Sequence, residues 1–255
     1  MIKVADLLGG DLPDVKVGIG CAPDSKYVET SVRMLNNPNV IIYRDAQKLV
    51  DDLASGAIDA AVRGDMSSSK LLPLVKKALG LDHLQRMVFL GYREKAVSVA
   101  PVGIDEGWTI EDKVSMAERS EELLLSLGAG NVRIAVMSGG RNDDVGRNDS
   151  VDETLNDARE VVMQLNRAGY DSYDAQILIE DAVEEADLII PPNGITGNLI
   201  FRCLHFIGDC PALGAPVINT DKVFVDTSRV KVDYTDSLII AMKLAGMKKN
   251  EHSGN

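Results

Sequence analysis

Four short segments carry the kinds of group that handle an anion. Arg63-Gly-Asp-Met-Ser-Ser-Ser69, Ser138-Gly-Gly-Arg-Asn142 and Asn193-Gly-Ile-Thr-Gly-Asn198 each follow an apolar run and lead into a helical pattern. Glycine lets a ligand approach the backbone, and hydroxyl and amide side chains add donors. A helix that starts there presents unpaired N–H groups and the positive end of its dipole. That combination suits phosphate or another anion. The candidate binding residues are Ser67, Ser68, Ser69, Ser138, Gly139, Gly140, Asn193, Thr196, Gly197 and Asn198. The fourth segment, Thr227 to Ser237, sets the Ser228 hydroxyl beside the permanent cation of Arg229. An arginine can hold phosphate or carboxylate through two parallel hydrogen bonds. Asp236 opens the last helical pattern and fits two roles, a helix cap or a base for a thiol or hydroxyl proton.

Each loop also has a plain structural reading. Ser67 to Ser69 suit a helix cap, Gly139-Gly140 a tight turn, and Asn193 to Asn198 an Asn/Gly turn. None is a P-loop, because G-x-x-x-x-G-K-[ST] is absent. "GIGCAP" (18–23) begins like G-x-G-x-x-G but carries Pro23 where the third glycine belongs, so it is not read as a dinucleotide site. The case for a site rests on the recurrence of such loops.

The loops need elements to position them, and the chain supplies strands alternating with helices. "VKVGIG" (15–20), "NVIIYR" (39–44) and "AIDAAVRG" (57–64) read as strands. Between and after them "SKYVETSVRML", "AQKLVDDLASG", closed by Gly56, and "SKLLPLVKKALG" read as helices, the last with Leu71, Leu72, Val75 and Leu79 on one side. "RMVFLGY" and "KAVSVAPV" form two strands joined at Arg93-Glu94. Then follow a helix over "TIEDKVSMAERSEELLLSLG" and a strand over "NVRIAVMSGG" (131–140). The next helix, "SVDETLNDAREVVMQLNRAG", is expected to open on a Ser150/Glu153 capping box and end at Gly169. "ADLIIP", "APVINT" and "KVFVDT" read as strands, "GNLIFRCLHFIG" as a helix, and "DSLIIAMKLAG" as an apolar and therefore buried helix. The alternation predicts an α/β fold with a mostly parallel sheet. If there are two lobes, the chain changes lobe near residues 95–105.

Composition narrows the function classes. The chain has 255 residues and a formal net charge of -12, so it lacks the basic footprint of a nucleic-acid binder and is repelled by anionic membranes. A small anionic metabolite then needs a local pocket of positive potential. No apolar run reaches the ~18 residues of a membrane span, and the N-terminus does not read as a signal peptide. Cys21, Cys203 and Cys210 fit no metal spacing and read as reduced thiols of a cytoplasmic protein. His83, His205 and His252 stand singly, so no metal site is expected. The tail "KKNEHSGN" is expected to fray.

Taken in order, "GDMSSS" (64–69), "AVMSGG" (135–140), Asp181-Ala182, "LIIPPNGITGN" (188–198) and Ser228-Arg229 with Asp236 resemble the phosphate acetyl/butyryltransferase family. The likeness spans most of the chain, and the "GN" and "SR…D" elements are its most specific parts. More closely, the chain is similar to the methanogen relatives called methanogenesis marker protein 4 or methyltransferase-related Mtx subunit X. The resemblance implies an archaeal methanogen protein with a three-layer α/β/α sandwich of the isocitrate/isopropylmalate dehydrogenase-like kind. It implies two lobes, 1–98 plus 226–255 and 99–225, with an active site in the cleft between them. It also implies transfer of an acyl group between coenzyme A and phosphate. Asp236 would then take the thiol proton, and Ser228 and Arg229 would stabilise the charged intermediate and the acyl phosphate. Coenzyme A would be a co-substrate, with no resident cofactor. The assembly would be a homodimer, with a methyltransferase or corrinoid protein as a further partner and a non-catalytic binding role as an alternative. The chain departs from the family in a shorter first half, a slightly different spacing from Ser228-Arg229 to Asp236, and in Asn193 and Thr196, which sit where the family varies.

Overall fold

The computed structural model describes residues 2–253, with side chains to 250. In chain order the described elements are β1 (Ile2–Lys3), α1 (Val4–Leu8), β2 (Val17–Gly20), α2 (Tyr27–Leu35), β3 (Val40–Tyr43), α3 (Ala46–Ser55), β4 (Ala60–Val62) and α4 (Ser68–Ala78). There follow β5 (Val88–Tyr92), β6 (Lys95–Val99), α5 (Ile110–Ser126), β7 (Arg133–Met137), α6 (Asp149–Arg167), β8 (Asp171–Gln176), α7 (Ile179–Glu185) and β9 (Leu188–Ile190). The chain ends in α8 (Gly194–Phe206), β10 (Ala212–Pro216), β11 (Val223–Asp226) and α9 (Thr235–Ser253). This is the expected α/β class with mostly parallel strands.

Two compact units result. One holds Met1–Leu7 and Gln85–Ala212, and the other Leu8–Leu84 and Leu213–Asn255. The expected lobes changed at 98/99 and 225/226, whereas the units change at Leu84/Gln85 and Ala212/Leu213. Pairing explains where the first boundary lies. β5 and β6 form an antiparallel hairpin, and β6 lies parallel to β9, so the hairpin travels with the following segment.

In the unit built around residues 8–84, the strand order is β3-β2-β4-β11-β10. β3, β2, β4 and β11 are parallel, and β10 runs antiparallel to β11. α3 and α4 cover one face, where Leu49, Leu53, Leu71, Val75 and Phe224 share a core. α9 lies against β2, β4 and β11 and meets α2. Leu238, Ile240, Ala241, Met242 and Leu244 of α9 are buried, as its apolar composition predicts. α9 runs on to Ser253, through most of the tail expected to fray, while 254–255 lie outside the described residues.

In the other unit the order is β5-β6-β9-β7-β8, with β1 beside β6. β6, β9, β7 and β8 run parallel to one another, while β5 and β1 pair antiparallel with β6. α5 packs on α6, and both lie on this sheet. One local expectation changes here. Asn148, not Ser150, caps α6, because its side-chain oxygen accepts from the Ser150 backbone N–H at 2.9 Å. β8, "DSYDAQ", is an edge strand whose polar sequence gave no strand signal.

Candidate anion-binding site

Three neighbouring parallel strands, β2, β4 and β11, deliver their carboxyl ends to one edge of the residue 8–84 unit. Loops leave that edge at Cys21, Arg63 and Thr227. In open α/β sheets this is the edge at which ligands bind. The three loops are laced together. The Arg63 guanidinium forms a buried ion pair with Asp226 and donates to the Met66 carbonyl at 2.9 Å. The Thr227 hydroxyl donates to the Gly64 carbonyl at 2.6 Å. The Ala22 N–H donates to Asp65 at 2.7 Å. Gly64 has φ +62, and a Cβ there would collide with the Gly20 carbonyl. Glycine is required at this position for both conformation and space.

On this frame the structure brings together one of the three loops and the Ser-Arg segment. Ser67 holds the N-cap position of α4, but its hydroxyl makes no capping bond. Instead its oxygen lies 2.9 Å from the Ser69 hydroxyl and accepts from the Arg229 guanidinium at 3.2 Å. The capping reading therefore fails for the Ser67 side chain. The hydroxyls of Ser67 and Ser69 and the cation of Arg229 form one cluster at the head of α4. Ser68 is the first residue of that helix. Arg229 and Ser69 are exposed, while Ser67, Ser68 and Ser228 are half-buried. The Ser228 carbonyl accepts from the Tyr234 hydroxyl at 3.2 Å and from the Lys231 N–H at 3.2 Å, which shapes the turn carrying Arg229.

Asp236 is not the cap of α9. The Asp233 carboxylate, just before the helix, accepts from the Thr235 N–H at 2.9 Å. Asp236 is half-buried in the first turn. Burial pushes its carboxyl above the usual range, the Lys231 charge pulls it back, and Asp233 pushes it further up. A carboxyl with raised pKa is suited to carry a proton in catalysis.

Two residues that sequence reasoning passed over belong to this edge. The Lys231 amine donates to the Ser237 hydroxyl at 3.1 Å, and burial lowers its pKa against the opposing pull of Asp236 and Asp233. Tyr234 is fully buried and anchors the start of α9, its N–H donating to the Ser31 hydroxyl at 2.8 Å. Cys21, also here, is buried, and burial raises its thiol pKa, which argues against a thiolate nucleophile.

The remaining predicted residues lie in the other unit, at the carboxyl ends of the adjacent strands β7 and β9. Several of their donors are engaged within that unit. The Ser138 hydroxyl donates to the Gly140 carbonyl at 3.0 Å, and the Gly139 N–H donates to Thr154 at 2.8 Å. Gly140 leaves room for Val151. Asn193 caps α8, accepting from the Thr196 N–H at 3.0 Å and from its hydroxyl at 3.2 Å. The Asn198 amide donates to the Val102 carbonyl at 3.0 Å. Gly194 and Gly197 let α8 sit against the Pro101 to Gly103 backbone. Here the glycines admit the protein's own chain.

Among the described residues no group of histidine, cysteine, aspartate and glutamate could hold a metal ion. His205 is tied to the Cys210 carbonyl at 2.8 Å and stacks on Phe201. The three cysteines are free, and no described helix is long and apolar enough to cross a membrane.

No family model matches the chain. A protein of Methanosarcina mazei named "Putative methyltransferase mtx subunit X" is 42% identical over 212 residues, covering 82% of this chain and 75% of its own. Its Methanosarcina acetivorans counterpart is 42% identical over 228 residues, 89% and 80% of the two chains. This chain belongs to the Mtx subunit X family. An uncharacterised methyltransferase of Methanopyrus kandleri is 39% identical over 203 residues, 78% of this chain and 79% of its own. Solved structures show the fold of this Mtx subunit X family member. A branched-chain phosphotransacylase from Enterococcus faecalis superposes with TM-score 0.70 at 16% identity, covering 90% of this chain and 99% of its own. A 4-hydroxythreonine-4-phosphate dehydrogenase from Burkholderia phymatum gives 0.59 at 12%, covering 92% and 98%. The architecture is that of phosphotransacylases and related dehydrogenases, as the sequence resemblance implied.

Proposed function

We propose that this protein is a transferase that binds a phosphate-bearing or acyl-phosphate-like metabolite at the carboxyl edge of β4 and β11. The observation that carries the reading is the bond from Arg229 to Ser67 at the head of α4, where Ser67 is not spent on capping. A guanidinium, two hydroxyls and a helix N-terminus together give a phosphate oxygen several charge-assisted partners. Ser228 and Arg229 hold the phosphoryl group and the oxyanion that develops beside it. Asp236 accepts the thiol proton of coenzyme A, the co-substrate. The thiolate then attacks the acyl phosphate carbonyl, the C–S bond forms and the C–O bond to phosphate breaks. The names of the fold relatives support this chemistry. This reading puts the protein in the cytoplasm, in keeping with its three free cysteines. The test is thiol release from acetyl- and butyryl-coenzyme A with inorganic phosphate. Release that is lost in Arg229→Ala and Asp236→Asn supports acyl transfer. No release, with phosphate affinity unchanged in Arg229→Ala, removes it.

A second reading is favoured by the names of the sequence relatives, "Putative methyltransferase mtx subunit X" and "Uncharacterized methyltransferase". The chain would then serve methyl transfer beside a methyltransferase or corrinoid protein. An affinity capture from methanogen extract that brings down neither counts against it. If Asp236→Asn leaves both ligand binding and cellular function intact, a non-catalytic binding role takes precedence over both.

A further inference from the structure

A surface lysine runs its apolar stem over the protein and keeps its amine in water. Lys231 had that course open to it, because its neighbours Val230 and Val232 are 64% and 63% exposed. It turns the other way. Its amine donates to the Ser237 hydroxyl at 3.1 Å, and that fully buried hydroxyl donates onward to the Leu213 carbonyl at 2.9 Å. The two bonds hold the amine against the first turn of α9, where Ser237 follows Asp236 in sequence. Nothing in the backbone favours a cation there. The ammonium gives up hydration on entering, and the start of a helix carries the positive end of the dipole, which repels it. A neutral hydroxyl does not offset both. Two carboxylates face the amine, Asp236 within the first turn and Asp233 before it. Asp233 is exposed and already accepts from the Thr235 N–H. Asp236 is half-buried and shares the interior with Lys231. The pair is no net gain to the fold, since burial still raises the Asp236 carboxyl and lowers the Lys231 amine. Two ionisable groups kept together against their own desolvation, two residues after Arg229 and in the turn it opens, mark a working site rather than a structural one.

We propose that Lys231 is a positioning residue of this site: its ammonium, turned inward and held on Ser237, keeps the Asp236 carboxylate ionised and ready to take a proton. The inference deepens the acyl-transfer reading and rests on it for the proton's source, the coenzyme A thiol. Asp236 stands between two opposed influences. Burial and Asp233 favour its protonated form, in which it cannot act as a base, and Lys231 favours the ionised form. As the thiol S–H bond breaks, its proton passes to Asp236 and the electron pair stays on sulfur. Lys231 keeps its own proton throughout and touches no reacting atom. It acts through Asp236 alone, by charge and by the bond to Ser237 that fixes where that charge sits.

The test reads Asp236 directly and then through the reaction. Carboxyl carbon resonances of the full-length protein are followed against pH by NMR in wild type, Lys231→Met and Lys231→Arg, with Asp236→Asn identifying the signal. The Asp236 midpoint should move to higher pH in Lys231→Met and return toward the wild-type position in Lys231→Arg, which restores the charge. Lys231→Gln repeats the measurement if circular dichroism shows Lys231→Met to be unfolded. Thiol consumption from coenzyme A and acetyl phosphate is then measured across pH. On the acid side Lys231→Met should lose roughly tenfold or more of the rate, as expected for an opposite charge removed from beside a carboxylate. On the alkaline side, where Asp236 ionises unaided, it should stay within about threefold of wild type. An Asp236 midpoint that stays in place in folded Lys231→Met overturns the proposal. So does a rate that falls equally at every pH, or one that Lys231→Arg does not recover, because either is the mark of a merely structural lysine. A midpoint that moves as expected in a protein that consumes no thiol supports the pairing and removes the acyl-transfer reading instead.

Discussion

Arg63→Met tests the frame beneath the site. The Arg63 side chain is 7% exposed and that of Asp226 11%, so this ion pair is buried. Removing one partner of a buried pair costs ~3–5 kcal/mol, because the other charge stays buried with its opposite charge gone. The loss is a large part of the ~5–15 kcal/mol that holds a domain folded. It falls on backbone that Arg63 also ties together, since its N–H donates to the Val225 carbonyl at 3.0 Å. Hydrogen exchange reads the effect at the strands concerned. At about 1.4 kcal/mol per power of ten, amides of β4 and β11 should exchange roughly 100-fold faster or more. Arg63→Met with Asp226→Leu should recover most of the protection, because the buried carboxylate that lost its guanidinium is gone. A single variant whose β4 and β11 amides change by less than about fivefold would refute the clamp.

Other perturbations follow from the same geometry. Gly64→Ala adds a side chain at positive φ against the Gly20 carbonyl and should lower stability by more than the ~1–2 kcal/mol of left-handed strain alone, measured by denaturant midpoint. Asp236 has a folded pKa raised by burial, so its ionisation costs stability. Stability tied to it is full below the ordinary aspartate range and declines as pH rises through the raised folded value. Asp236→Asn should therefore be the more stable protein at neutral pH, with the advantage vanishing below the ordinary range, and a pH-independent difference would contradict this. Asn193→Ala removes the α8 cap and should cost ~1 kcal/mol, while leaving phosphate affinity at the Arg229 cluster unchanged.

Elements were easiest to read where a periodic apolar pattern met clear punctuation. α3 shows this, because Asp45 caps it through the Gln47 N–H at 2.8 Å and Gly56 closes it at φ +79. β8 escaped because an edge strand needs only one apolar face. β1 and α1 escaped because both are short, and β1 depends on pairing with distant β6. At the site, residue types pointed to Ser67, Arg229 and Asp236, yet the partner of each comes from a remote or inverted position. In Val230-Lys231-Val232 both valines are exposed while the lysine turns inward, the reverse of what composition suggests. The serine and glycine loops of the other unit looked the same in sequence, but their donors close on neighbours such as Thr154 that no local pattern announces. A loop spent on its own fold and a loop left for a ligand differ only in tertiary contacts.

The most direct measurement is inorganic phosphate binding by titration calorimetry to wild type, Arg229→Ala and Ser67→Ala. A charge-assisted bond is worth ~1.5–3 kcal/mol and a neutral one ~0.5–1.5 kcal/mol. Arg229→Ala should therefore weaken binding by roughly 10- to 100-fold and Ser67→Ala by several-fold, with Asp236→Asn still binding. Phosphate affinity that is the same in wild type, Arg229→Ala and Ser67→Ala would contradict the account.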